Sequence, residues 1–145
     1  MPYESATWLT ENDLVGAVKE HLLATGWDIR QVSLTNQHGI DILAARGSET
    51  LAVEVKGGGS SKPETARYRK PFTRNQKRSH VAVAVLTALR ETSRGDNKAA
   101  IALPDDREHV RLIEEIWPAL RKLDVGVYLV APDRAVRPYA TGANA

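Results

Sequence analysis

Apolar residues recur at two different spacings along the chain, and these spacings predict its secondary structure. Intervals of three and four residues predict helices over 11–25, 73–92 and 105–123. Alternating or continuous apolar runs predict strands over 28–35, 40–45, 50–56, 99–103 and 125–131. Thr10 with Asp13, and Thr73 with Gln76, have the spacing of capping boxes at helix starts. The predicted element order is therefore α-β-β-β-α-β-α-β.

This order predicts an α/β fold with a mixed central sheet and helices on both faces. Residues 81–85 alternate like a strand, but about 20 residues without Gly or Pro favour a helix there. Gly47 and Ser48 fit the centre of a type II′ hairpin turn. The run GGGSS over 57–61 predicts a flexible loop. We expect one domain over residues 1–131 and a frayed tail over 132–145.

Composition narrows the cellular setting. The chain has 145 residues and no cysteine, which excludes disulfides, thiolate zinc sites and a cysteine nucleophile, and fits a reducing compartment such as the cytoplasm. The longest apolar run, Val81 to Leu86, is far shorter than the roughly 20 residues that span a bilayer. The sequence therefore predicts a cytoplasmic protein without a membrane partner.

The charge of the chain is concentrated in one segment. Residues 62–78 contain seven basic residues and one acidic residue, a net +6, whereas the whole chain carries +2. Such a segment can be a solvated helix face, or it can bind nucleic-acid phosphates while an interleaved aromatic ring stacks on bases. The candidate nucleic-acid-binding residues are Lys62, Arg67, Tyr68, Arg69, Lys70, Arg74, Lys77 and Arg78.

The predicted hairpin brings three charged residues together. If Gly47 and Ser48 form the turn, paired positions sum to 95, so Asp41 lies opposite Glu54. Because side chains alternate along a strand, Glu54 and Lys56 share one face. Their neighbours are apolar, and burying two carboxylates with one ammonium costs several kcal/mol per ion unless a partner compensates. A salt bridge could explain the three charges, but a functional site explains them better.

The chemistry of these groups favours a hard divalent cation. Mg²⁺ prefers oxygen ligands, and one or two carboxylates plus substrate phosphate commonly hold it. Asp41 and Glu54 are the candidate ligands. Lys56 could orient or deprotonate the attacking water, or stabilise negative charge at phosphorus. The pattern therefore predicts metal-assisted hydrolysis of phosphodiesters, with Mn²⁺ able to replace Mg²⁺.

A third carboxylate follows from helical phase. At 100° per residue, Glu11 falls in the middle of the stripe formed by Leu14, Val18 and Leu22, so it is expected to point inward. There it could complete the metal site. The alternative is that Glu11, in the first helical turn, only interacts favourably with the helix dipole.

With its apolar flanks and an aspartate 13 residues earlier, the segment Val53-Glu54-Val55-Lys56 resembles the motif of the PD-(D/E)xK nuclease superfamily. The resemblance covers residues 10 to 131 and implies a restriction-endonuclease-like αβββαβαβ core. It implies metal ligation by Asp41, Glu54 and the Val55 carbonyl, and a catalytic Lys56. It also supports Glu11 and adds Gln76, since some branches carry a glutamine on the next helix. The departure is Ile40, where the family motif has proline.

The resemblance leads us to expect a Mg²⁺-dependent endonuclease acting on DNA, of restriction-like or junction-resolving type. A domain this small implies low sequence specificity, or specificity supplied by a homodimer or a protein partner. Two alternatives remain: a non-catalytic nucleic-acid-binding or assembly subunit that keeps the fold, and a structural domain in which Lys56 only bridges the two acids. We interpret His80, one turn after Gln76, as a surface or partly buried side chain.

Overall fold

The computed structural model describes residues 9–33, 40–59 and 72–140. Within these ranges the helices are α1 Glu11–Ala24, α2 Arg74–Arg94 and α3 Arg107–Lys122. The strands are β1 Asp28–Val32, β2 Ile42–Arg46, β3 Glu49–Val55, β4 Lys98–Pro104, β5 Val125–Val130 and β6 Val136–Pro138.

The six strands form one open mixed sheet in chain order, β1-β2-β3-β4-β5-β6. Strands β1, β2 and β3 pair antiparallel, β3, β4 and β5 pair parallel, and β6 returns antiparallel to β5. The parallel strands are joined through α2 and α3, as crossover connections require. The predicted α/β class and mixed sheet are confirmed.

Each face of the sheet carries its own apolar core. On one face the stripe of α1, including Leu14 and Leu22, packs on Ile42, Val53 and Val55. On the other face α2 and α3 pack on alternate residues of β4 and β5, including Ile101, Val127 and Leu129. Helices therefore cover both faces, as predicted.

The hairpin between β2 and β3 has the predicted register. Ile42 pairs with Val53 and Arg46 with Glu49, so every pair sums to 95. Gly47 has a φ of +60° while Ser48 has no positive φ, which fits the predicted turn with glycine in its first central position. Because a slip of one residue would exchange the two faces, this register decides which side chains meet near Glu54.

Both predicted capping boxes are present. Thr10 and Asp13 exchange hydrogen bonds between side chain and backbone, and so do Thr73 and Gln76. Helix α2 runs without a break through residues 81–85, so the helical prediction for this alternating segment is confirmed. No helix in the described ranges is long and apolar enough to cross a membrane.

The expectation of a frayed tail from residue 132 is wrong for residues 132–140, and residues 141–145 lie outside the described ranges. Strand β6 pairs with β5, and the buried Tyr139 ring packs edge-on against Trp117 of α3. Pro132 and the polar residues after it concealed this strand, because only three residues of it pair. The added strand covers the edge of β5.

Two further boundaries differ from the sequence prediction. Strand β2 begins at Ile42, so Asp41 lies in the bend before it rather than within the strand. Glycines 57–59 are buried rather than forming a flexible loop. Gly58 N–H donates to Leu9 O at 2.9 Å, and Gly59 forms an isolated parallel β-bridge with Thr10. Residues 60–61, and 34–35 of the predicted first strand, lie outside the described ranges.

Candidate functional site

The site is built around the carboxyl end of β3. Lys56 N–H donates to Ala102 O of β4 at 3.0 Å, so the preceding Val55 N–H points the other way, towards β2. It donates to the side chain of Asp41, at 2.7 Å from Oδ2. The Asp41 carboxylate thus takes the place of a main-chain carbonyl just before the first residue of β2. The backbone of Asp41 is held by Ser33, whose N–H donates to Asp41 O at 2.8 Å.

This geometry corrects the predicted position of Asp41. We expected it within a strand, directly opposite Glu54 and on the same face. Its carboxylate instead lies where β2 would continue beside β3, because it accepts a hydrogen bond from the edge of that strand. The two carboxyl groups still lie close together, since Asp41 raises the pKa of Glu54 by side-chain hydrogen bonding and by its charge.

Glu54 is buried beside one cation. Its neighbours Val53 and Val55 face α1, whereas Ile101, beside Glu54 on β4, belongs to the core under α2 and α3. Lys56 Nζ lies 3.9 Å from Glu54 Oε1. Burial, the hydrogen bond with Asp41 and the charge of Asp41 raise the pKa of Glu54 to about 8, although Lys56 opposes this.

Glu11 reaches the same site from the other face of the sheet. It is the first residue of α1, and this helix start lies directly against Gly57. A Cβ on Gly57 would lie 2.3 Å from Glu11 N, so only glycine permits this approach. Burial and the charge of Asp41 raise the pKa of Glu11 to about 7, while Lys56 opposes this.

These four residues, Glu11, Asp41, Glu54 and Lys56, form what we call the carboxyl cluster. It contains three acids and one base, and two of the acids have raised pKa values. Its donors are carboxylate oxygens, which suit a hard cation such as Mg²⁺. In the described part of the chain, however, no three His, Asp or Glu side chains are arranged to hold a metal together. The donor chemistry therefore fits a site of two carboxylates, completed by water and substrate, better than a three-carboxylate cage.

Gln76 is part of the capping box at the start of α2. Its side-chain Oε1 accepts the Thr73 N–H at 2.8 Å, and its own N–H donates to Thr73 Oγ1 at 3.2 Å. The capping box that the sequence predicted is thus present, and it uses the side-chain carbonyl. The catalytic role that the resemblance implies for Gln76 stays a prediction.

The predicted nucleic-acid-binding residues divide into two groups. Lys62, Arg67, Tyr68, Arg69 and Lys70 lie outside the described residues. The other three, Arg74, Lys77 and Arg78, occupy the first two turns of α2. Arg74 and Arg78 are exposed, whereas Lys77 is largely buried, with Nζ 3.3 Å from Asp106 Oδ2.

A groove of about 730 Å³ separates the start of α2 from the start of α3. We call it the helix-start groove. Its basic lining residues are Arg74, Lys77, Arg107 and Arg111. Most of their charge is paired, because Lys77 contacts Asp106 while Arg74 and Arg111 both contact Glu108. Hydrogen bonding by Arg111 lowers the pKa of Glu108, the opposite of the shift at Glu54.

His80 is partly buried, as the sequence predicted, but its place beside the site was not predicted. It lies on the inward face of α2, and its ring contacts Phe72 edge-on at 4.5 Å between centroids. Phe72 N–H in turn donates to Gly58 O at 3.0 Å, two residues after Lys56. The available signal was spacing: His80 stands three residues after Lys77 and four before the buried Ala84, as an inward position does.

No protein-family model matches this chain, and no curated protein matches it either.

Proposed function

We propose that this protein is a Mg²⁺-dependent nuclease that hydrolyses DNA phosphodiester bonds, built on a restriction-endonuclease-like arrangement of its α/β fold. The observation that carries the proposal is the carboxyl cluster, in which three acids share one lysine at the end of a central strand. A protein gains nothing in stability from gathering two buried acids and the half-buried Glu11 around one lysine, and burial raises the pKa of two of these acids. A bound cation would favour their ionised forms.

Asp41 and Glu54 would hold the metal, with the Val55 carbonyl as the third ligand that the resemblance implies. When bound, Mg²⁺ would polarise the scissile phosphate and lower the pKa of the attacking water. Val55 N–H orients Asp41, so the strand edge fixes one ligand before any metal arrives. Glu11 would balance charge at the rim and hold water, from the start of α1.

Lys56 supplies the positive charge that does not come from a metal. Its ammonium nitrogen stands 3.9 Å from Glu54 Oε1, so it lies next to any phosphate that the carboxylates recruit. There it can stabilise the negative charge that develops on the phosphoryl oxygens, or orient the attacking water. A base or electrostatic group in this position contributes about 10²–10⁴-fold to rate.

Exposed Arg78 and Arg74, one helix turn apart on α2, give the nucleic acid a place to contact. Phosphate contacts by such residues position the backbone without reading sequence. We therefore propose low intrinsic sequence specificity, with restriction-like or junction-resolving cleavage as the two forms to distinguish, and a homodimer or protein partner as the source of any selectivity.

Calorimetric titration of Mg²⁺ and Mn²⁺, run beside cleavage of plasmid, linear duplex and four-way junction DNA, tests this proposal. The wild type should bind metal and cut, and Asp41→Asn should lose both while staying folded by circular dichroism. Asp28→Asn is the matched control, because Asp28 is exposed on β1. The preferred substrate would separate a resolving enzyme from a restriction-like one.

Two results would overturn the proposal. If the wild type binds DNA but binds no metal and does not cleave DNA, the protein is a non-catalytic nucleic-acid-binding subunit. If the wild type is inactive and Lys56→Met is as stable as the wild type, Lys56 belongs to a structural ion pair. Hydrophobic replacement of such a pair is often neutral for stability.

A further inference from the structure

Two histidine nitrogens in the interior have no hydrogen-bond partner among the described residues: His80 Nδ1 on α2 and His109 Nε2 on α3. A buried polar atom left unpaired destabilises the folded state, so each one calls for a physical explanation. Both histidines lie on helices that cover the same face of the sheet. Lys77, one turn before His80, contacts the same Asp106 oxygen that His109 Nδ1 contacts, so the two histidines lie on neighbouring turns of α2 and α3.

His109 is fixed at its other nitrogen. Its side chain is fully buried, and its Nδ1 lies 2.8 Å from Asp106 Oδ2, the N-cap residue of α3. A carboxylate partner at Nδ1 favours the tautomer with the proton on Nδ1, which leaves Nε2 as an acceptor. His109 therefore presents a fixed acceptor inside the protein, directed away from the helix-start groove that Asp106 lines.

His80 stands between this interior and the carboxyl cluster. Phe72 holds its ring edge-on, and Phe72 is itself hydrogen-bonded to Gly58 beyond the end of β3. Burial and the charge of Lys56 lower the pKa of His80, so its ring is neutral at physiological pH. Nδ1 is buried without a partner among the described residues, which leaves Nε2 as the candidate ligand-binding atom of the ring.

We propose that His80 is a substrate-contacting residue, which donates an Nε2–H hydrogen bond to a phosphate oxygen of the nucleic acid, and that Asp106 and His109 position it. One bridging water that donates to both buried nitrogens would satisfy them together. It would also keep the His80 proton on Nε2, facing the phosphate. This inference rests on the proposed nuclease function, and it adds a residue that the carboxyl cluster does not contain.

The experiment compares His80→Phe with His21→Phe, because phenylalanine keeps an aromatic ring but cannot donate a hydrogen bond. His21 is a matched control, because it also contacts an aromatic ring edge-on, Tyr128 at 5.6 Å, but lies at the far end of α1. Loss of a hydrogen bond to a charged phosphate should lower single-turnover cleavage about tenfold to hundredfold in His80→Phe. Mg²⁺ affinity should stay at the wild-type value, and His21→Phe should match the wild type throughout.

Nitrogen NMR of the imidazoles gives a readout that does not depend on cleavage. In the wild type, His80 should show the Nε2–H tautomer, and a 12-base-pair duplex should shift its Nε2 resonance but not that of His21. In His109→Gln, with folding checked by thermal melting, the His80 tautomer should become mixed and the cleavage rate should fall.

The outcomes separate the two proposals. Active wild-type enzyme with an equally active His80→Phe, or a duplex that leaves His80 unshifted, overturns the role of His80 and leaves the nuclease intact. Absence of metal binding and cleavage in the wild type overturns the nuclease, and the duplex titration then decides by itself whether His80 contacts nucleic acid.

Discussion

Two charged clusters lie near the carboxyl ends of the parallel strands, and they are built on opposite principles. In the helix-start groove, Asp106 and Glu108 have cationic partners on α2 and α3, and the net effect of their surroundings is to lower both pKa values. In the carboxyl cluster, acids outnumber bases, and the pKa values of Glu11 and Glu54 are raised. In the helix-start groove, paired charges join α2 to the start of α3. In the carboxyl cluster, the metal that we propose would supply the missing positive charge.

The largest expected effect concerns the single base of the carboxyl cluster. Lys56→Met should reduce DNA cleavage about 10²–10⁴-fold, since it removes the cation that pairs with Glu54 among the described residues. Lys98→Met is the control: Lys98 also pairs with acids, Glu49 and Asp124, but at the opposite end of the sheet. Equal cleavage rates for the two variants would remove the functional distinction between the clusters.

Next in size is the contact that brings Glu11 to the cluster. Gly57→Ala would place a Cβ against the backbone of Glu11, and overpacking of this kind destabilises by about 1–3 kcal/mol. Gly16→Ala, inside the same helix and with open space around it, should instead stabilise by about 0.5–1 kcal/mol. Urea unfolding measures both. Opposite signs would confirm a close-packed helix start, and two stabilised variants would show that α1 can move away.

The pH dependence of stability should differ between the clusters. Glu11 and Glu54 bind protons more tightly in the folded state than in the unfolded one, because their ordinary value of 4.5 rises to about 7 and about 8. Without metal, their contribution to stability should therefore fall as pH rises from about 4.5 to about 8. The lowered pKa values of Asp106 and Glu108 act in the opposite direction, since their contribution is lost as pH falls.

Thermal melting between pH 5 and pH 8 tests this difference. Glu54→Gln should flatten the alkaline decline by removing one titrating group, and Mg²⁺ at pH 8 should raise the melting temperature of the wild type but not of the variant. Glu108→Gln should change only the acidic side of the profile. A wild type that gains stability up to pH 8 without metal would contradict the idea of unmatched charge.

The smallest effect is expected for phosphate contacts. Arg78→Gln should weaken DNA binding modestly and lower the slope of log affinity against log salt by about 1, as loss of one contact does. Arg121→Gln, an equally exposed change in the last turn of α3, is the control. Fluorescence anisotropy at several salt concentrations measures both. Identical slopes for wild type and Arg78→Gln would move the nucleic-acid surface away from the start of α2.

Most of the fold could be predicted because local and global signals agree. The hairpin register followed from one glycine and the alternation around it, and both capping boxes followed from residues three apart. Strand β6 could not be predicted, since three residues in a polar setting carry no period and depend on a partner strand. Element order was therefore easier to predict than the final edge of the sheet.

For the carboxyl cluster, the sequence predicted which residues come together better than how they come together. Helical phase selected Glu11 by placing it over the sheet, yet it approaches Asp41 because it starts the helix beside Gly57. Asp41 was assigned to a strand, yet its side chain acts where the strand is missing. His80 was treated as peripheral, because nothing local reveals that Phe72 connects it to the end of β3.

The contact between Gly57 and the start of α1 has a consequence for folding. The residues of the carboxyl cluster lie on a helix, in a bend and at the end of a strand that are distant in sequence. Glu11 joins the others only when α1 packs on the sheet beside Gly57. We expect closure of so large a loop late in folding, after local helices and hairpins have formed. A nascent or partly unfolded chain therefore lacks the assembled cluster, and any activity it supports appears only when the tertiary structure is complete.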